Sequence, residues 1–213
     1  VPVLLSTEVL ATLTGFLCVL FFIRQIVWAW PVAVVSATLF GIVFLDAGLY
    51  SNMGLQGLYV VLAFYGWYQW RRGGPDSTGV TVKNLTALQG VVLGTVALLA
   101  AAALIVALVL ITRGSPVTIA SIIDLITSED ARSLDALATA MSLAATWMQA
   151  KKILENWLLW IVIDTLLTGV FLSQELYFTA ALYLLYLVMA TLGYQAWRRD
   201  CHNGKRPQAF EES

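Results

Sequence analysis

The sequence predicts an all-α polytopic membrane protein, with seven transmembrane helices in a 3+1+3 arrangement of two parallel repeats. Three observations lead there. Hydrophobic residues make up 60% of the 213-residue chain and charged residues only 12%, about half the charge of a soluble protein; the mean hydropathy is +0.81. Such a chain cannot cover a water-facing surface. Its apolar residues fall into runs close to the roughly 20 residues that cross a hydrocarbon core. When the chain is shifted by 127 positions, the first three runs fall on the last three without a gap.

The first run covers about 9–28 and is interrupted only by Arg24-Gln25 near its end. Runs this numerous and this late are not a cleaved leader. The second covers 31–49 with Asp46 near its far end, and Pro31 suits the first turn of a helix, where no N–H partner is lost. The third covers 55–70 and stops at the breaker Arg71-Arg72-Gly73-Gly74-Pro75. Residues 1–72 therefore read as a first three-helix bundle. Residues 73–132 read as a linker, with an aromatic-free spacer helix over 84–111 and a polar external loop holding one short amphipathic helix near 119–126. The second bundle, 133–199, contains runs over 134–148 (behind Ser133 as N-cap), 156–171 and 176–197; residues 200–213 form a polar tail. Cys18 lies in an apolar run and Cys201 in the tail, so no disulfide is expected.

Charge placement orients the chain. With seven spans, one side receives Arg24, Arg71, Arg72, Lys83, Lys151, Lys152, Arg198, Arg199, Lys205 and Arg206. The other receives Arg113 and Arg132, outnumbered by Asp124, Glu129, Asp130 and Asp135. The positive-inside rule then puts the C-terminus in the cytoplasm and the N-terminus outside.

The register at 127 carries more than shared apolarity. It pairs Arg24 with Lys151, Trp30 with Trp157, Thr38-Leu39 with Thr165-Leu166, and Leu49-Tyr50 with Leu176-Tyr177. It also pairs Tyr59, Ala63 and Gly66 with Tyr186, Ala190 and Gly193, and Trp70-Arg71-Arg72 with Trp197-Arg198-Arg199. Interface anchoring explains single tryptophans and arginines at span ends; it explains poorly a whole ungapped series. A spacer between two three-helix halves leaves them facing the same way, a SWEET-like arrangement. Transporters built from parallel repeats place substrate near the midplane at the repeat interface.

Candidate binding residues follow from polar and aromatic groups inside the spans. Trp157, Trp160, Asp164 and Thr168 share one face of the sixth run, with Asn156 beside them. Asp164 lies about 12 Å in from Asn156 at 1.5 Å per residue, near the middle of the core. An acid at that depth is costly and marks a functional site by default; the competing reading is a structural acid bonded to a neighbouring hydroxyl. The third run offers Gln56 and Tyr59, with Trp67 further along; the seventh offers Tyr183 and Tyr186. Gln56 is paired with Tyr183 in the repeat register, an asymmetry that an asymmetric ligand requires. Gly66 and Gly193 read as sites of close helix packing. Amides, indoles, phenols and one buried acid suit a flat aromatic ligand with hydroxyls, and a ring cation gains from both carboxylate and indole faces.

These residues also carry a family resemblance. Leu55-Gln56, Tyr65-Gly66-Trp67-Tyr68-Gln69-Trp70, Trp30-Pro31, Glu155-Asn156-Trp157-Leu158-Leu159-Trp160, and Leu176-Tyr177 with Gly193-Tyr194 and Trp197 resemble the PnuC family of nicotinamide riboside transporters. The resemblance covers nearly the whole chain from Leu10 to Arg199. It implies a homotrimer in the bacterial inner membrane and facilitated diffusion of vitamin B3, trapped by cytoplasmic phosphorylation on the way to NAD biosynthesis. It also implies that Asn156, Trp157, Trp160 and Gln56 contact the vitamin, while relatives carry thiamine or riboflavin. Nicotinamide riboside and thiamine are both cations, so Asp164 favours either over riboflavin.

Other classes fit less well. A seven-helix retinal protein needs a lysine in its last span, but Lys83, Lys151, Lys152 and Lys205 all lie in loops or tail. An intramembrane enzyme is disfavoured: His202, the sole histidine, is in the tail, and the spans hold no Ser/His, paired-Asp or metal-ligand spacing. No cofactor, metal or nucleic-acid partner is expected; the expected partners are the vitamin and the lipid bilayer. A vitamin-binding subunit of an ATP-driven complex would share the pocket without needing the repeat.

Overall fold

The computed structural model describes residues 2–46, 48, 50–72, 80–92, 94, 95, 99, 103 and 132–202. They form α1 (Pro2–Ile23), α2 (Ala29–Asp46), α3 (Tyr50–Arg72), α4 (Arg132–Ala150), α5 (Asn156–Ser173) and α6 (Tyr177–His202), and a further helical stretch opens at residue 87. Most of the expected spacer, the 119–126 helix and the tail from 203 lie outside the described residues. An all-helical chain is what an apolar solvent demands, because each N–H and C=O must then be satisfied within its own segment. Among the described residues, α2, α5 and α6 are each long and apolar enough to cross a membrane, and α1 adds the apolar stretch Thr7–Ile23. Leu13, Val61, Phe64, Val162, Leu184 and Val188 face outward and are exposed, a surface suited to lipid rather than water.

Several boundaries differ from the sequence expectation. The first span ends at Ile23 rather than near 28, because the chain turns at Gln25, which has a left-handed φ of 56°. The third opens earlier, at Tyr50. Ser133 lies inside α4 rather than capping it, since that helix already runs from Arg132. The last helix continues to His202, so residues 200–202 belong to it and not to the tail. The spacer turns helical at 87 rather than 84. Its preceding residues are held otherwise: Lys83 makes a parallel bridge to Ile153, and Leu85 N–H donates to Glu155 Oε2 at 2.8 Å.

Packing follows a ring. Among the described residues, α1 touches α2, α2 touches α3, α3 touches α4, α4 touches α5, α5 touches α6, and α6 returns to α1. The two contacts that join first and second bundles are thus α3 with α4 and α6 with α1. Each is tied by an indole: Trp70 Nε1 donates to Gln149 O at 3.2 Å, and Trp197 Nε1 donates to Phe22 O at 3.0 Å. Donors and acceptors in these two bonds are each 127 residues apart.

The same separation recurs throughout. α1 and α4 end at Ile23 and Ala150, α2 and α5 begin at Ala29 and Asn156, and α3 and α6 begin at Tyr50 and Tyr177. The left-handed residues are Gln25 and Lys152 (56° and 51°), then Gly48 and Glu175 (71° and 61°). Only glycine adopts that region without cost, so three ordinary residues accept strain to make matched turns. Gln25 and Lys152 also touch: Lys152 Nζ donates to Gln25 Oε1 at 3.1 Å.

Candidate functional site

All six helices contribute to one cavity of about 320 Å³ at the centre of the ring, toward the small end of ligand pockets. Its floor lies near the basic helix ends. There Trp30 and Trp157 are 1% and 2% exposed, each ring lying flat on a glycine. A Cβ on Gly66 would run into the Trp30 ring, and one on Gly193 would sit 2.7 Å from Trp157, so these glycines serve the close packing expected of them. Beneath, Trp70 stands edge-on to Trp30 (5.5 Å, 89°) and Trp197 edge-on to Trp157 (5.5 Å, 88°), while Trp70 and Trp197 meet at 6.0 Å. Phe22 closes the floor edge-on to Trp30 at 4.7 Å. Such aromatic pairs contribute roughly 0.5–1.5 kcal/mol each beyond area burial.

Two polar features stand out in this apolar box. The indole N–H groups of Trp30 and Trp157 are buried with no hydrogen-bond acceptor among the described residues. An unpaired buried donor costs about 1–3 kcal/mol. The second feature is Asp164, 5% exposed on the α5 wall. The two hydroxyls on its stretch of helix are spent on backbone: Thr165 Oγ1 donates to Ile161 O and Thr168 Oγ1 to Asp164 O. Its counterpart 127 positions earlier is Ala37, which also lines the cavity. The acid therefore sits on one side only.

The wall toward the other helix ends is phenolic and half-buried. Tyr186 stacks on Phe16 at 4.8 Å and 19°, and Tyr183 lies 5.1 Å from Phe171 and 6.3 Å from Tyr186. Gly15 makes room for this contact between α1 and α6, since a Cβ there would lie 3.3 Å from the Tyr186 hydroxyl. Gln56 and Tyr59 from α3 face the same space.

Of the residues singled out from sequence, Gln56, Tyr59, Trp157, Trp160, Asp164, Tyr183 and Tyr186 line the cavity together. Asn156, Thr168 and Trp67 do not. Asn156 is fully buried at the start of α5, where its Nδ2 donates to Ile153 O in its own turn; its Oδ1 has no partner among the described residues. Thr168 bonds back to the helix, as hydroxyls at i and i−4 commonly do. Trp67 packs beside Phe64 at 6.5 Å, at the edge of the core. Sequence reasoning passed over Trp30, Phe22, Cys18, Ser36, Thr146 and Gln149 as lining residues. Trp30 was detectable as the repeat counterpart of Trp157; Thr146 and Gln149 carried no comparable signal.

Comparison with known proteins gives a consistent result. The model of the nicotinamide mononucleotide transporter family matches residues 5–199. The chain is similar to the nicotinamide riboside transporter PnuC of Escherichia coli (strain K12), 24% identical over 200 residues, spanning 89% of this chain and 84% of that protein. It is also similar to the riboflavin/roseoflavin transporter RibM of Streptomyces davaonensis, 26% identical over 206 residues, spanning 94% and 88%. In fold it is similar to the crystal structure of the vitamin B3 transporter PnuC, with a TM-score of 0.68, 23% identity, and coverage of 93% of this chain and 83% of that one.

Proposed function

This chain belongs to the nicotinamide mononucleotide transporter family, that of the PnuC carriers, and from that premise we propose that it carries nicotinamide riboside by facilitated diffusion. The observation that carries the choice of cargo is Asp164 on the wall of an aromatic cavity. A pyridinium ring gains from indole faces and from a carboxylate at once. The cavity's modest volume favours a single ring with a sugar over a tricyclic flavin.

The proposed frame is a SWEET-like 3+1+3 pair of parallel repeats in the bacterial inner membrane, with the N-terminus outside and the C-terminus in the cytoplasm, assembled as a homotrimer. The matched helix starts, matched left-handed turns and reciprocal indole bonds at a separation of 127 support the repeat. The basic helix ends support the orientation. Binding residues on this reading are Trp157, Trp160 and Asp164 on α5, Gln56 and Tyr59 on α3, and Tyr183 and Tyr186 on α6.

Riboflavin is the second reading, because RibM is as similar to this chain as PnuC is; thiamine, also a cation, is the third candidate. A thermal-shift panel of nicotinamide riboside, thiamine and riboflavin on the purified protein separates them, since a ligand that binds the folded state raises its melting temperature by mass action. Stabilisation by riboflavin alone would overturn the assignment of cargo.

A further inference from the structure

Beneath the tryptophan floor lies a polar chain that cargo binding does not use. Lys152, in the turn between α4 and α5, is 3% exposed, and its Nζ donates to Gln25 Oε1 at 3.1 Å. Gln25, in the turn between α1 and α2, passes the link on: its Nε2 donates to Asp200 Oδ2 on α6 at 2.7 Å. The Lys152 ammonium also lies 4.4 Å from the centre of the Trp70 ring on α3. The Gln25 side chain thus ties the first bundle both to the Lys152 turn and to the end of the last helix.

We propose that Lys152, Gln25 and Asp200 form the inner latch of the carrier, closed in this structure and broken when cargo leaves toward the basic side. The proposal rests on the transport reading. Three observations carry it. Gln25 and Lys152 are repeat counterparts that touch one another. In a two-half assembly such a contact lies where the halves rotate against each other, so a change in their relation strains it first. Next, an ammonium buried in an apolar floor is costly unless paired. An apolar residue of similar length would fill the same space at no such cost, whereas a charge gives a contact that is strong when closed and readily hydrated when open. Finally, the two turns are held differently among the described residues. Lys83 N–H donates to Lys152 O at 3.0 Å and Leu154 N–H to Lys83 O at 2.9 Å, so the segment before the spacer clamps the Lys152 turn. Among the described residues no backbone bond of this kind reaches the Gln25 turn, which is held by side chains of α6 instead.

The test locks the latch. Gln25→Cys/Lys152→Cys in a Cys201→Ser background is joined by a short, reducible bifunctional thiosulfonate. Uptake is then followed in proteoliposomes with nicotinamide riboside, thiamine and riboflavin, and binding of whichever is carried is measured by calorimetry. Cross-linking is expected to leave affinity within about twofold and to cut uptake by about tenfold or more, with recovery on reduction, because the latched state is kept and the exchange between states is blocked. Unchanged uptake after complete cross-linking would show that this contact never opens. Loss of binding together with uptake would make it a purely structural brace. If the uncross-linked protein carries none of the three vitamins, the transport reading falls and takes the latch with it. Should the double cysteine variant not fold, Gln25→Ala serves instead, because it leaves the buried Lys152 ammonium without its acceptor and removes the link to Asp200. In inside-out vesicles, labelling of Thr146→Cys by an impermeant maleimide should then rise about fivefold or more as the inward-open state gains population; equal labelling rates would overturn the proposal.

Discussion

The Lys152 ammonium donates to the Gln25 side-chain oxygen at 3.1 Å, and the two residues occupy the same left-handed turn position in the first and second bundles. Burial pushes the Lys152 pKa down to about 8, and Asp200 partly offsets it. The other charged groups at this end include Arg24 beside Gln25, Lys151 beside Lys152, Lys83 on the bridging segment, Glu155 before α5, and Arg71, Arg72, Arg198 and Arg199 at the ends of α3 and α6. A lysine with a lowered folded pKa binds fewer protons folded than unfolded between about 8 and 10.5. Stability therefore rises with pH across that window. Thermal unfolding in detergent should show a gain on the order of 3 kcal/mol from this group, absent in Lys152→Met; identical slopes for both proteins would contradict it.

The tryptophan floor makes a paired prediction. Gly66→Ala and Gly193→Ala each push a Cβ into an indole and should each cost about 1–3 kcal/mol. Gly54→Ala on α3, which meets nothing within 4 Å, should be neutral or stabilising by up to about 1 kcal/mol. Melting temperatures of the three variants check the contrast.

The reciprocal indole bonds can be weighed separately. Trp70→Phe and Trp197→Phe keep a ring but strip the donor from Gln149 O and Phe22 O. Phe22 O and Gln149 O keep the backbone N–H of Gln25 and Lys152, so each variant should lose only the worth of one hydrogen bond, about 0.5–1.5 kcal/mol, and by similar amounts, as the two bonds are counterparts. A loss confined to one of them in chemical denaturation would show that the two junctions differ in strength.

Asp164 discriminates between cargoes. Asp164→Asn should weaken a cationic ligand such as nicotinamide riboside by about tenfold or more, while a neutral analogue loses less than about threefold. Trp160→Ala should weaken both by removing stacking area. Calorimetry on the purified variants decides; equal losses in Asp164→Asn would make the acid structural.

Much of this was legible because the membrane penalises what function requires. Asp164 and Gln56 stood out as polar groups inside apolar runs, and both line the cavity. Trp157 and Trp160 stood out through the repeat and the short motif around them. Thr168 and Asn156 lie off the cavity lining: the Thr168 hydroxyl and the Asn156 Nδ2 both donate to nearby backbone, a local choice that helical spacing does not reveal. The turns at Gln25 and Lys152 were silent because neither residue type signals a left-handed backbone; tertiary contacts impose it. Thr146 and Gln149 reach the cavity only because α4 packs against α3 and α5, a long-range fact carried by no local pattern.

The account is tested most directly by uptake of radiolabelled nicotinamide riboside into proteoliposomes with no ATP and no ion gradient. It predicts entry that stops when internal and external concentrations are equal and that is unaffected by imposing or collapsing a pH gradient. Failure to carry the compound, or accumulation above equality driven by a proton gradient, would contradict it.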